Sequence, residues 1–206
     1  MRLSTLSSSF IFNFPSDFLP AEVLVDYEGF LDAYHMPYDT IIDYLNSTVK
    51  SVSFPGLSIV LNEQHKLRGK WIGYKPAKPV QDIVTTHELN VVFRSIDGDM
   101  NYLLCYDIFQ KHYLDTEHMY INPFTVTSLD MYRNGVWQVR YHQLVAVSLS
   151  ENIFDYSAQK TNAKEFTMTF SFNYIELEDL FNKSKIIDLG SKNVLGNNLP
   201  LILRKK

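Results

Sequence analysis

Cysteine is nearly absent from this chain: Cys105 is the only one in 206 residues. An internal disulfide and a cysteine-built metal site are therefore excluded, and folding does not require an oxidising compartment. No apolar run approaches the roughly 18 residues that a membrane-spanning helix needs, so no such helix and no membrane partner are expected. The opening residues, MRLSTLSSSFIFNF, mix serine with apolar residues and build no continuous apolar stretch before a small-residue cleavage site. No secretory signal is expected, and the chain reads as soluble at synthesis in the cytoplasm. Also missing are GxxxxGK followed by Ser or Thr, GxGxxG, HExxH, GxSxG and CxxC, compact patterns that hold phosphate, metal or a nucleophile.

Positive charge is short on most of the chain. Residues 181–206 hold six Lys or Arg against one acid, Asp188, a balance of +5; the whole chain carries −4, which leaves −9 for residues 1–180. A nucleic-acid binder places its basic patch on the folded domain; this chain has an acidic body and a basic tail. What is present describes a globular protein of one domain: 46% apolar and 20% charged residues. The 13 Tyr and 14 Phe favour β-structure or extensive interfaces.

Local patterns give a coarse map. Phe10, Phe12 and Phe14 alternate with Ser9, Ile11 and Asn13, predicting a strand that Pro15 ends. Between Pro20 and Tyr34, Leu24, Tyr27, Phe30 or Leu31 and Tyr34 fall at helical spacing, with Gly29 weakening the helix by about 1 kcal/mol. Pro37 opens a second helical pattern through Ile41, Ile42 and Leu45; strand character returns over 48–54, halts at Pro55-Gly56 and resumes over 57–61. Residues 62–81 read as a long connection with five Lys or Arg and with Trp71, Ile72 and Tyr74 at its middle. A loop of that length is usually functional, and exposed aromatics gain energy only when covered. Docking is the reading, with Trp71 folded back on its own domain as the alternative.

Residues 84–95 alternate, with His87, Leu89, Val91 and Phe93 on one side. Asp97-Gly98-Asp99 ends the strand, and Asp99 is placed to cap a helix from Met100. Tyr102, Cys105, Tyr106, Phe109 and Tyr113 then share one helical face, with Cys105 as a small core residue. Asn134-Gly135 predicts a two-residue type I′ hairpin turn pairing Tyr132 with Trp137. Beyond it Trp137, Val139, Tyr141, Val145, Val147 and Leu149 are expected on one face. The stretch KEFTMTFSFNY, 164–174, predicts a strand with Phe166, Met168, Phe170, Phe172 and Tyr174 inward, a burial on the order of 10 kcal/mol before entropy is subtracted. Its other face, Thr167, Thr169, Ser171 and Asn173, is small, polar and uncharged.

Candidate chemistry is sparse. His112, Asp115, Glu117 and His118 match no compact ligand spacing, and Glu176 and Glu178 read as a solvated rim. No catalytic residue, metal or cofactor is assigned, and the chain is read as not an enzyme.

The order of elements, the Pro-Gly at 55–56, NIFDYS at 152–157 and FTMTFSFNYIE at 166–176 resemble the tail tube proteins of T4-like contractile-tailed bacteriophages and, more distantly, the Hcp-type inner tube of type VI secretion. The resemblance covers roughly 8–14 and 49–176. It departs at 16–48, a helical insertion, and at 177–206, a basic extension beyond a domain ending at 176. It implies a mainly β fold, an antiparallel β-sandwich or barrel with one flanking α-helix plus the insertion. It further implies six-copy rings stacked into a hollow tube, with sheath and baseplate proteins as partners and viral DNA passing through without sequence-specific binding, in a virion tail made in the host bacterial cytoplasm. On that reading Lys70, Trp71, Tyr74 and Lys75 belong to a loop reaching the next ring, and Thr167, Thr169, Ser171 and Asn173 line the channel or a subunit seam. A baseplate or tube-initiator ring, or a type VI secretion-like inner tube protein, is an alternative role. From other classes, a lipocalin-like ligand-binding barrel and a hydrolase assembled from distant His and Asp residues stay open.

Overall fold

The computed structural model describes residues 10–27, 29–58, 62–66, 70–74, 84–115, 118–130, 132–153, 164–180 and 186–189; for 62–66, 70–74 and 186–189 it is the backbone path that is described. In chain order the strands are β1 (Phe10–Asn13), β2 (Val49–Val52), β3 (Asn62–Lys66), β4 (Lys70–Tyr74), β5 (Glu88–Arg94), β6 (Phe124–Leu129), β7 (Gly135–His142), β8 (Val145–Leu149), β9 (Glu165–Ser171), β10 (Tyr174–Asp179) and β11 (Ile186–Leu189). The helices are α1 (Ala21–Tyr27), α2 (Phe30–Ala33), α3 (Ile41–Thr48) and α4 (Met100–Leu114).

Period-two alternation builds two open antiparallel sheets, ordered β1-β6-β7-β10-β11 and β2-β5-β9-β8, with β3-β4 as a separate two-stranded sheet. Of the expected sandwich or barrel, the sandwich is adopted. Phe12, Phe124, Val139, Tyr141 and Ile175 bury their side chains from the first sheet, and Leu89, Val91, Phe93, Phe166, Met168 and Phe170 from the second. Phe124 meets Phe170 edge-on at 4.8 Å, and Phe93 stacks on Phe166 at 5.0 Å. Such ring pairs add about 0.5–1.5 kcal/mol each beyond the area they bury.

The final alternating stretch proves to be two strands. β9 ends at Ser171, the chain bends at Phe172 and Asn173, and β10 continues in the other sheet. Opposite it, β7 passes into β8 through Gln143, whose φ is 55°. Tyr174 pairs with His142 on one side of this corner and Ser171 with Val145 on the other. Residues 135–149 and 165–179 thus form one long ribbon folded across both sheets. The corner resets side-chain parity: Leu144 and Ile175 are fully buried, whereas Val145 and Val147 are exposed and Tyr174 is half-buried. The single face expected from Trp137 to Leu149, and the inward Tyr174, are corrected accordingly.

The Asn-Gly turn is also longer than its dipeptide predicts. Leu129 pairs with Gly135 and Ser128, rather than Tyr132, with Trp137. The Asp130 carboxylate accepts from the backbone N–H of Tyr132 and of Asn134, each at 2.8 Å, and Arg133 takes the left-handed conformation at φ 66°. These bonds to Asn134 and Tyr132 hold the Asp130 carboxyl below its usual range. A side chain competing for the turn's amides has displaced the two-residue geometry. Gly135 serves close packing instead: a Cβ there would lie 2.8 Å from Leu180 Cδ1.

Helices cover one flank. The insertion forms α1, α2 and α3, with Gly29 standing at the N-cap of α2 and Val23, Tyr27, Phe30, Ile41, Tyr44 and Leu45 buried. Leu24, expected inward, is partly exposed at 39%. Thr40 caps α3 by accepting the Asp43 N–H. The insertion is fastened to α4 by the Tyr27 hydroxyl donating to Asp107 at 2.6 Å and by the Lys111–Glu22 ion pair. On α4 the buried residues are Asn101, Leu104, Cys105 and Ile108. Cys105 is core as expected, and burial pushes its thiol pKa up; Tyr106 and Tyr113 point outward. Asp99 flanks α4 in the left-handed conformation without a capping bond. Its carboxylate is engaged by Ser95, Asn152 and Lys164, which leaves the cap unmade.

Candidate functional site

The uncharged face read from 164–174 lies on the outside of the second sheet. Thr167, Thr169 and Ser171 project together from β9, opposite Val92, Asn90 and Glu88 of β5. The Thr169 hydroxyl donates to Asn90 Oδ1 at 2.8 Å, and the Thr167 N–H donates to Ser150 Oγ at 2.9 Å. Ser148 of β8 pairs with Thr169, and exposed Val145 with Ser171. Among the described residues, charge is confined to the two ends of this surface. Lys50 meets Glu165 at 2.5 Å, beside Arg94 paired with Glu165 across the ladder, and Glu88 stands at the opposite end. Asn173 is not part of the row: it sits in the corner between β9 and β10, its amide donating to Gln143 Oε1 at 2.9 Å.

Such a surface has definite physical properties. The Thr169 hydroxyl is engaged by Asn90, and the other side chains of the face are short and uncharged, so they present a hydrated layer with little capacity to grip a passing chain. Its middle carries no formal charge, so it neither holds nor repels a polyelectrolyte strongly.

The long connection contains structure that composition did not disclose. β3 and β4 pair antiparallel from Asn62 opposite Tyr74 to Lys66 opposite Lys70. Backbone pairing satisfies the amides of this segment whatever its side-chain pattern, and Trp71, Ile72 and Tyr74 are good strand formers. Lys70, Trp71 and Tyr74 lie on β4, while Lys75 lies outside the described residues.

Among the described residues the outer strands of both sheets offer unpaired ladder positions, β1 at one edge of the first sheet and β2 and β8 at the edges of the second. Between β1 and β2 runs a groove of about 450 Å³, lined by Phe10, Phe12, Asn46, Val49, Lys50 and Arg94. The interior between the sheets is filled with aromatic rings; the groove is on the surface. α4 adds exposed Leu103, Tyr106, Tyr113 and Leu114, an outward apolar stripe for which the aromatic spacing was the available signal.

The titratable groups singled out by sequence do not converge. The His112 ring nitrogen Nε2 lies 3.0 Å from the Phe18 carbonyl, and the ring stacks on Phe18 at 5.6 Å. Burial lowers its pKa. His118 pairs with Asp115 at 2.9 Å on the exposed side, and Glu117 lies outside the described residues. Among the described residues no three His, Cys, Asp or Glu side chains are grouped to hold a metal ion. Glu176 and Glu178 reach diagonally across the ladder to His142 at 3.2 Å and Arg140 at 3.0 Å.

No family model matches the chain, and no curated protein matches its sequence. Its backbone is similar to a chain of the PVC extracellular contractile injection system, in the extended sheath–tube complex, at 10% identity and TM-score 0.52, covering 86% of this chain and 93% of that one. It is likewise similar to a chain from the tube-terminating cap of the anti-feeding prophage, at 8% identity and TM-score 0.52, covering 87% and 93%. The two-sheet fold of this protein, anticipated from 8–14 and 49–176, is the fold of chains from contractile injection systems.

Proposed function

We propose that this protein is a structural subunit of a tail or injection tube, built of hexameric rings stacked around a channel. The observation that supports the reading most is its fold, which follows chains of contractile injection systems over most of both lengths. Open sheet edges favour it further, because rings close such edges by pairing or covering them. In this reading Thr167, Thr169 and Ser171 face the channel or a subunit seam, with Asn173 at the rim of that face. Lys70, Trp71, Tyr74 and Lys75 reach the adjacent ring. The tube passes DNA without sequence readout, contacts sheath and baseplate proteins, and belongs to a virion tail. Its work is assembly rather than catalysis.

Light scattering followed by negative-stain imaging of the purified chain tests the proposal. Rings or tubes of sixfold symmetry are expected, and a persistent monomer at high concentration overturns it. Trp71→Ala is expected to give a folded protein that no longer stacks; normal tubes from that variant remove the role assigned to the hairpin.

A further inference from the structure

The helical insertion is the most lopsidedly charged part of the molecule. Residues 16–48 contain seven acids and neither Lys nor Arg. Of these, Glu22 alone is in an ion pair among the described residues. Asp26, Asp32 and Asp39 are exposed, beside the apolar Val25 and Tyr34, which are 71% and 63% exposed. Like charges gathered on a short surface repel one another, and exposed apolar groups beside them favour a covering partner.

The same chain carries a complementary segment. Residues 62–81 hold five Lys or Arg against Glu63. Among the described residues the strands of its hairpin, β3 and β4, pair with each other and with no other strand, and a two-stranded sheet by itself is marginal in water. An acidic surface with exposed apolar side chains and a basic, aromatic hairpin in need of cover are matched in sign and in character.

We infer that the outer face of α1, α2 and the segment leading to α3 is the docking site for the β3–β4 hairpin of a second copy of this chain. The contact is head-to-tail: each copy offers one hairpin and one acidic receptor, so it propagates from copy to copy. The charges steer the encounter and reject a mis-set register, where acid would meet acid. Val25 and Tyr34 supply the apolar ground that the hairpin covers. This inference rests on the assembly reading above and names the surface that receives the hairpin.

Charge reversal in the full-length chain tests it. Asp26→Lys with Asp32→Lys and Asp39→Lys is expected to raise the protein concentration for half-assembly about tenfold or more, with the circular dichroism spectrum unchanged. Lys66→Glu with Lys70→Glu and Lys75→Glu is expected to do the same. Equimolar mixing of the two variants should restore assembly, since each then meets its opposite. Sedimentation velocity at low and high salt reads all three results, and assembly of the unaltered chain should weaken with salt. If the unaltered chain assembles and the reversed variants assemble equally well, or the mixture fails to recover, the inference falls while the tube reading stands. Variants that change only the melting of the monomer also overturn it. An unaltered chain that never assembles overturns both.

Discussion

Two tyrosines show how the same substitution takes opposite signs. The Tyr27 hydroxyl donates to Asp107, so Tyr27→Phe is expected to cost about 1.5–3 kcal/mol, the range for hydrogen bonds to a charged group. Tyr44 is buried, and among the described residues its hydroxyl has no hydrogen-bond partner. Burial, more than the nearby Asp97, raises its pKa. Tyr44→Phe removes an unsatisfied polar atom and is expected to be neutral or to stabilise by about 1 kcal/mol. Urea denaturation of both variants checks the pair. His112 supplies a pH dependence. Burial lowers its pKa in the native state below the ordinary value of 6.5, so the unfolded chain takes up the proton first. Its contribution is complete above pH 6.5 and is lost as pH falls through the native value. The melting temperature of His112→Phe is expected to fall less than that of the unaltered protein between pH 7 and pH 5, and equal falls would rule His112 out.

At the scale of elements, alternation was legible where one strand stayed in one sheet. Leu89, Val91 and Phe93, and Phe166, Met168 and Phe170, are buried as their period predicts. It failed at Gln143 and at Phe172-Asn173, because one left-handed residue or one bend exchanges the two faces and leaves the apolar count unchanged. The aromatic stripe of α4 misled for a related reason: two sides of that helix are apolar, and spacing alone does not say which meets the core. The Asn-Gly turn was misread because Asp130, four residues upstream, competes for its amides. Gly135→Ala separates the two accounts of that turn. A type I′ turn needs positive φ there, so alanine would cost about 1 kcal/mol or more, whereas an ordinary φ beside the movable ends of Leu180 and Thr127 predicts a smaller loss, under about 1 kcal/mol. Chemical denaturation reads the difference.

For the whole molecule, the candidate surface was legible as a composition, uncharged and small, but its extent was not. The contributions of Asn90, Val92, Ser148 and Val145 depend on register between strands distant in sequence. Thr169→Lys places one charge per copy at the middle of that surface and breaks the bond to Asn90. In a sixfold ring it brings like charges around one circumference, so assembly is expected to weaken at low salt and recover as salt rises. Assembly indifferent to both the substitution and salt would place this face away from the channel and the seams.

The folded ribbon of 135–149 and 165–179 has a mechanical consequence. Two covalent crossings, side by side at Gln143 and at Phe172-Asn173 and bridged by the Asn173 N–H to the His142 carbonyl, join the sheets at one corner. A load applied to either sheet is carried into the other by the main chain itself, whereas sheets held by side-chain packing alone could slide past one another. That corner makes the sandwich a stiff link, in which neither sheet shifts without taking the other with it.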